Sequence, residues 1–324
     1  MEDQAQTLRR LARLRPQRDA AYPEPSGAPP LPLDVRVISC TSGKGGVGKT
    51  HIVVNLAYAL QRLGARVMVL DADLGLANVD VLLGLAPRFN IQHVLTGDKT
   101  LTDVLVPGPA GMIILPAGSG VHELAHLTDS QRLRLLEALD ALELDLDFLL
   151  IDTGAGISTN VMYFNIAAQD IVVVATPEPT SLTDAYALMK VLATQYAEKH
   201  FKVVINMVTS ANEAKEAFRR LSVVTERFLN ISIDYLGFIL HDTAFPQAVR
   251  QQQALLQLYP HCAAARCFHR LAQRMLDLPM APHPKGNIQF FWRRLLAGPS
   301  QPLPEALQTV QAEPQGIGSK GVGS

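Results

Sequence analysis

The chain is poor in cysteine, and it lacks long apolar runs. The three cysteines, Cys40, Cys262 and Cys267, show no C-x-x-C spacing, so nothing indicates a disulfide framework or a paired-cysteine metal centre. No apolar stretch approaches the ~20 residues that a membrane-spanning helix needs, and the polar, arginine-rich N-terminus has no apolar signal core. These absences predict a reduced, cytoplasmic protein.

An excess of charge of either sign is also missing. The formal net charge is −1 over 324 residues, so the composition gives no reason to expect direct nucleic-acid binding. Hydrophobic residues make up 48% of the chain, which allows a large buried core. Length and composition therefore predict one α/β domain with tails.

Short β-branched apolar runs alternate with helical patterns from Val35 onward. Because these runs do not alternate between polar and apolar residues, they are expected to be buried on both faces of a parallel sheet. The pattern predicts a doubly wound, mostly parallel α/β fold, in which ligands bind at the carboxyl ends of the strands. The predicted strands are Val35–Cys40, Arg66–Leu70, Met112–Leu115, Phe148–Ile151, Ile171–Ala175, Lys202–Met207 and Tyr235–Leu240.

Three segments are expected along the chain. Residues 1–33 combine an amphipathic, arginine-flanked helix over residues 1–20 with a proline-rich linker. This helix either binds a partner or remains a solvated leader. Residues 34–280 are expected to form the α/β domain, and residues 281–324 to form a tail.

The tail contains one amphipathic segment, residues 287–297. One of its helical faces is apolar, and Arg293 and Arg294 lie on the opposite face. This composition is typical of an interfacial membrane helix, although a helix that docks on the domain's own core has the same pattern. The apolar face consists of Ile288, Phe291, Trp292, Leu295 and Leu296.

The first predicted strand leads into a glycine-rich loop that is followed by a helical pattern over residues 52–63. In this setting G-x-x-x-x-G-K-[ST] is a phosphate-binding loop. Lys49 is expected to reach the β- and γ-phosphates of a nucleotide, and the Thr50 hydroxyl to ligate Mg²⁺. Lys44 is not required by the general pattern. The positions expected to contact the nucleotide are Gly43, Lys44, Gly45, Gly46, Val47, Gly48, Lys49, Thr50 and His51.

The same glycines also satisfy G-x-G-x-x-G, with Asp71 at the end of the next strand, as in a dinucleotide-binding fold. Lys49 and Thr50 favour the phosphate loop, because a dinucleotide site has no use for a lysine and a metal-binding hydroxyl at that point.

Carboxylates follow two of the predicted strands. Asp71 and Asp73 come at the end of the second strand and suit Mg²⁺ binding and the orientation of an attacking water, although they could instead cap backbone N–H groups. Asp152 ends the apolar run 149–151 in the Walker B pattern. Asp152-Thr153-Gly154 also resembles an aspartic-protease signature, but that chemistry needs a second aspartate that shares a proton.

Residues His122 to His126 match H-E-x-x-H, the zinc helix of metalloproteases. No third ligand is evident in the extended pattern, so an ordinary surface helix is favoured.

With Lys44, the two aspartates at 71 and 73, and Asp152, the chain resembles the MinD/ParA family of deviant Walker A ATPases over roughly residues 35–275. Residues 175–186 (ATPEPTSLTDAY) resemble its flagellar (FlhG/FleN) branch. Asp3-Gln4-Ala5, followed by Leu8-Arg9, resembles the motif with which that branch engages the GTPase FlhF.

The resemblance implies ATP and Mg²⁺ as ligands. It implies that Lys44 reaches across a dimer interface to the partner's nucleotide, and that Lys44, Lys49 and Asp73 serve catalysis, Asp73 by positioning the hydrolytic water. Thr50, Asp71 and Asp152 would support the metal, and Asn206 would contact adenine. His51 departs from the family, in which a small or polar residue is commoner at this position.

The resemblance further implies a slow ATPase that cycles between an ATP-bound dimer on the inner membrane and a cytosolic monomer. In the flagellar branch this cycle regulates flagellar number or placement through FlhF, C-ring proteins or a transcription activator. A regulator of division-site placement or of DNA or cargo partition has the same chemistry and remains open. A metal-handling enzyme is disfavoured by the positions of the cysteines.

Overall fold

The structure is a computed structural model. It describes residues 35–73, 78–116, 128, 131, 134, 135, 137, 138, 145–279 and 292. The predicted N-terminal helix, the segment 122–126 and the amphipathic segment 287–297, apart from Trp292, lie outside the described residues. None of the helices within the described part is long and apolar enough to cross a membrane.

The predicted α/β fold is confirmed. Eight strands form one sheet in the order β3-β4-β2-β5-β1-β6-β7-β8, and every neighbouring pair is parallel except β3 and β4. The strands are β1 (Arg36–Ser42), β2 (Val67–Ala72), β3 (Val106–Pro107), β4 (Ile113–Pro116), β5 (Phe148–Ala155), β6 (Asp170–Ala175), β7 (His200–Val208) and β8 (Ser232–Leu240).

Helices follow most of the strands. They are α1 (Lys49–Arg62), α2 (Val79–Leu82), α3 (Ile91–Thr96), α4 (Leu101–Val104), α5 (Thr159–Ala167), α6 (Pro179–Tyr196), α7 (Ala211–Leu229), α8 (Ala244–Arg250), α9 (Leu255–Leu258) and α10 (Ala263–Asp277).

The seven predicted strands are all present, and their ends shift by at most four residues. The additional strand, β3, lies at the edge of the sheet and pairs antiparallel with β4. Its second residue is Pro107, which has no N–H to donate and is tolerated at an edge. A two-residue strand has no periodicity, so the sequence gives no signal for it.

Both faces of the sheet are covered, and every residue of β1 and β2 is buried. α1 and α10 pack on one face; α10 buries Phe268, Leu271, Ala272 and Met275, the spacing of one helical stripe. α5, α6 and α7 contribute to the core on the opposite face. Continuous burial explains the unbroken apolar runs seen in the sequence.

Trp292 belongs to a third apolar cluster, which includes Val35, Leu146 and Phe164, and it is 1% exposed. At Trp292, the one described residue of the segment 287–297, the chain therefore contacts the domain's own core. Whether the segment as a whole docks or binds a membrane stays a prediction.

A buried ionic cluster ties together the amino-terminal parts of three strands. Asp170 of β6 accepts hydrogen bonds from Arg36 Nε of β1 at 2.6 Å and from Lys202 Nζ of β7 at 2.7 Å. Arg36 also donates to the Leu278 carbonyl just after α10. The opposite, carboxyl-terminal edge of the sheet is therefore the one left for ligand chemistry.

Candidate nucleotide-binding site

The phosphate loop connects β1 to α1 and is tightly packed on two sides. Gly48 has a φ of 82°, and a Cβ at this position would lie 2.5 Å from Asn206 Nδ2. A Cβ at Gly43 would lie 2.1 Å from the Asp184 carbonyl oxygen of α6. Only glycine fits at these two positions, since one needs a left-handed backbone and both need close approach.

The first turn of α1 has no side-chain cap, and its N-cap is Gly48. Its N–H groups and the positive end of the helix dipole are therefore available to an anion. This is the local arrangement that a nucleotide phosphate requires.

Lys49 and Asp152 meet in the interior of the site. Lys49 Nζ lies 2.6 Å from Asp152 Oδ1, with side-chain exposures of 6% and 0%. Burial raises the pKa of the Asp152 carboxyl, against the opposing effect of the Lys49 ammonium. Asp152 is thus paired with a cation, which does not fit a carboxyl that shares a proton with another aspartate.

The residues at this point suit Mg²⁺. Asp152 Oδ2 is buried and has no hydrogen-bond partner, and Thr50 lies close enough to lower the pKa of this carboxyl. A hydroxyl and a carboxylate oxygen are the donors that Mg²⁺ prefers, together with phosphate oxygens and water. No group of three or more His, Cys, Asp or Glu in the described part of the chain could hold a metal ion without such additional ligands.

Asp71 stands directly opposite Asp152 in the β2–β5 register and is 3% exposed. Its Oδ1 accepts the N–H of Asp73 at 3.2 Å, and its Oδ2 accepts those of Asn78 and Val79 at 3.1 Å. Burial and the neighbouring Asp152 raise the pKa of Asp71 to about 7. In this conformation Asp71 therefore binds backbone N–H groups at both ends of the loop after β2, which is the capping role considered as the alternative. Its role at the metal stays a prediction.

Asp73 approaches the segment that follows Asp152. Its Oδ1 would lie 3.6 Å from a Cβ added at Gly154. The structure thus brings Asp73 to the same edge of the sheet as the phosphate loop, where a carboxylate could orient water.

Lys44 contacts the start of α6. Its Nζ donates to Glu178 Oε2 at 3.3 Å and to Thr180 Oγ1 at 3.2 Å, and its side chain is 42% exposed. Glu178 and Thr180 lie in the segment 175–186 that resembles the flagellar branch, but no pattern in the sequence indicates their contact with Lys44. Glu178 is the N-cap residue of α6, and Gly43 packs against the same helix, a proximity that only the fold reveals.

Asn206 is the last residue of the buried stretch 203–206 in β7. Its Nδ2 donates to the Val47 carbonyl at 2.8 Å. This bond fixes the phosphate loop against β7 and leaves the Asn206 amide at the border of the site. The next residue, Met207, has a positive φ of 58° and is 42% exposed.

A cavity of about 210 Å³ lies beside this site rather than over the phosphate loop. Asp71 is the one residue of the predicted site that lines it. The other lining residues are Asp80, Pro87, Arg88, Phe89, Asn90, Ile114 and Pro116.

An uncapped helix start behind a glycine loop, a buried lysine and a strand-terminal aspartate together define a P-loop nucleotide-binding protein. A family described as an AAA domain matches residues 35–207. The chain is 45% identical over 266 residues to the antiactivator FleN of Pseudomonas aeruginosa, covering 82% of this chain and 95% of FleN. It is 32% identical to the flagellum site-determining protein YlxH of Helicobacter pylori, covering 81% and 90%.

Among solved structures, the septum site-determining protein MinD of Pyrococcus horikoshii, complexed with Mg-ADP, is 26% identical with a TM-score of 0.59. That likeness covers 74% of this chain and 96% of the MinD chain. The protein is a P-loop ATPase, and the chain belongs to the flagellar branch of the MinD/ParA family.

Proposed function

We propose that the protein is an ATP-dependent dimerising switch that regulates flagellar number or placement. The flagellar part rests on the similarity to FleN and YlxH, which cover most of the chain. The switch part rests on the geometry of the two lysines in the phosphate loop.

The positions of Lys44 and Lys49 carry the proposal. Lys49 is buried against Asp152, where a γ-phosphate would compete for it, whereas Lys44 is partly exposed and held by Glu178 and Thr180. Because Lys44 is partly exposed, it could exchange Glu178 and Thr180 for the phosphates of a nucleotide bound to a second copy. Dimerisation then depends on ATP, because only the triphosphate offers the charge that Lys44 would neutralise.

ATP and Mg²⁺ are the proposed ligands, and the related MinD protein carries Mg-ADP. Thr50 and Asp152 would hold the metal, with Asp71 in support, and Mg²⁺ would neutralise charge on the phosphates. Asp73 would orient water for attack. Gly43 to His51 would cradle the phosphates, and Asn206 would contact adenine.

Membrane association would use the segment 287–297. Because Trp292 is buried in the core here, the segment must leave the domain before it can bind lipid. One amphipathic helix binds a bilayer weakly, and a dimer presents two, so dimerisation would strengthen binding by linkage. The protein would then be cytoplasmic as a monomer and peripheral on the inner membrane as a dimer.

The proposed partners are the GTPase FlhF, through residues 1–20, and C-ring proteins or a flagellar transcription activator. Direct nucleic-acid binding is not expected from the net charge of −1. Deleting residues 1–20 should lower stimulation of the GTPase while ATP hydrolysis persists.

A pull-down with hydrolysis-blocked protein tests the function. Asp73→Ala loaded with ATP is the bait, and Lys49→Ala, which should not hold the triphosphate, is the matched control. Recovery of flagellar GTPase or C-ring proteins by the first bait alone is expected. Recovery of division-site or DNA-partition components in their place would overturn the flagellar assignment.

A further inference from the structure

Three aromatic rings form a row from the phosphate loop into the core. His51, in the first turn of α1, meets Phe245 of α8 edge-to-face at a centroid distance of 5.6 Å and an angle of 77°. Phe245 in turn meets Phe268 of α10 at 6.4 Å and 66°. Phe268 is fully buried, so the row is anchored at its inner end.

The segment 241–245, which precedes and begins α8, is attached to the rest of the domain on two other sides. The His241 N–H donates to the Val208 carbonyl of β7 at 2.8 Å. The Asp242 carboxylate accepts the N–H of Ala244 at 3.0 Å and that of Ala264, in α10, at 3.1 Å. On a third side, the contact between Phe245 and His51 attaches the segment to α1, the helix that begins at the phosphate loop.

This segment borders the side of the site that is expected to hold the base. β7 and β8 are neighbours, with Val208 opposite Leu240, and Asn206 lies two residues before Val208. A nucleotide whose phosphates lie on the first turn of α1 has its base displaced toward one side of the loop. We expect Asn206, the proposed adenine contact, and the segment 241–245 to form the wall on that side, because the His241 N–H bonds to the Val208 carbonyl two residues beyond Asn206.

His51 contributes to this wall as an aromatic ring. Burial lowers the pKa of its imidazole, so the ring is neutral at pH 7 and packs against Phe245 without the cost of a buried charge. An edge-to-face pair of this kind stabilises the position of both rings. A small aliphatic residue at position 51 would leave Phe245 without this neighbour.

We propose that His51 is a positioning residue for the nucleotide base: through its contact with Phe245 it holds the segment 241–245 against α1, and thereby sets the preference for adenine. The inference rests on the proposed function, since it requires that the site bind an adenine nucleotide. The imidazole of His51 acts through Phe245, whereas the contact of residue 51 with the phosphates would come from its backbone N–H.

Calorimetric titration with ADP and GDP tests the proposal in the full chain. His51→Ala should weaken ADP binding by about two- to tenfold, the range of one aromatic pair. GDP binding should change much less, so that the preference for ADP over GDP falls. His51→Phe, which keeps a ring, should restore the wild-type ratio.

Hydrogen exchange in the nucleotide-free protein gives a readout independent of binding. Amides of residues 241–250 should exchange faster in His51→Ala than in wild type, and those of residues 202–206 should not change. Phe245→Leu removes the contact from the other side and should reproduce both effects, so the proposal remains testable if His51→Ala folds poorly.

The outcomes separate the inference from the function on which it rests. If the wild-type protein binds neither ADP nor GDP, the proposed function fails. If it binds ADP, and both His51→Ala and Phe245→Leu keep the wild-type ratio and exchange rates, the positioning role is wrong. Equal weakening of ADP and GDP would also overturn it, because the effect would then lie at the phosphates.

Discussion

Lys49 Nζ lies 2.6 Å from Asp152 Oδ1, and both side chains are buried. The lysine that the phosphate loop offers to a nucleotide is therefore already neutralised by a carboxylate of the same chain. In the proposed function, nucleotide binding would exchange one anionic partner of Lys49 for another, and Asp152 would then be available to the metal.

The Lys49–Asp152 pair makes the stability of the protein sensitive to single substitutions. Lys49→Met or Asp152→Asn should each destabilise the nucleotide-free protein by about 3 kcal/mol, because each leaves a buried group without its partner. Urea unfolding of the two single variants and the double variant forms a double-mutant cycle. The double variant should lose clearly less unfolding free energy than the two single variants lose together. Strict additivity of the two losses would show that the two groups do not interact in solution.

Asp73→Ala should trap the ATP-loaded state. If Asp73 orients the attacking water, phosphate release should fall by about a hundredfold or more, while ATP affinity changes little. A phosphate-release assay at saturating ATP measures this, and Asp98→Ala, an exposed aspartate outside the site, is the control. Release at the wild-type rate would end the assignment of Asp73.

Trp292 is the chain's one tryptophan, so its fluorescence reports on the tail alone. In nucleotide-free protein its emission should be blue-shifted and poorly quenched by acrylamide, since the side chain is 1% exposed. With ATP and anionic vesicles that contain brominated lipid, emission should be quenched as the ring enters the bilayer. Deleting residues 287–297 should abolish vesicle sedimentation; sedimentation that persists would place membrane binding elsewhere.

Asp170 holds the amino-terminal ends of β1, β6 and β7 together. Burial alone would raise the pKa of Asp170, but hydrogen bonds from Arg36 and Lys202 hold it below its ordinary value of 3.8. A lowered carboxyl pKa stabilises the fold above the unfolded pKa, and this contribution is lost as the pH falls through the folded value. Asp170→Asn should therefore cost about 3 kcal/mol at pH 7. The cost should shrink progressively once the pH falls below 3.8, and it should be clearly smaller at about pH 2.

Urea unfolding at the two pH values measures this difference. Glu216→Gln, which removes the exposed ion pairs with Arg219 and Arg220, is the surface control and should leave the midpoint almost unchanged. A cost for Asp170→Asn that is the same at both pH values would contradict the ionic explanation.

Local patterns in the sequence were sufficient for the parallel sheet and for the phosphate loop. A buried parallel strand is an unbroken apolar run, and the carboxyl end of such a strand places Asp71 and Asp152 at one edge. Gly48 and Lys49 could be recognised because the loop needs its residues in a fixed order. These features depend on neighbours in the chain, which a sequence displays directly.

Contacts between distant segments could not be predicted in the same way. The ammonium of Lys44 meets Glu178 across 134 residues, and no local pattern at either position announces the pair. The metal role of Asp71 stays a prediction. Its bonds from the N–H groups of Asn78 and Val79 could not be foreseen, because they depend on contacts that exist only in the folded chain. The burial of Trp292 likewise depends on an apolar cluster that several distant elements build together. A helical wheel cannot distinguish such a cluster from a lipid surface.

Lys44 is proposed to complete the nucleotide site of a second copy. Light scattering after size exclusion, with ATP and Mg²⁺ on an Asp73→Ala background, tests it most directly, with Lys215→Ala as an exposed-lysine control. The account predicts a mass of twice 35.2 kDa for the background protein and the control. Adding Lys44→Ala should give a monomer that still binds ATP. A dimer that survives the loss of Lys44, or an ATP-loaded background protein that stays monomeric, would contradict the account.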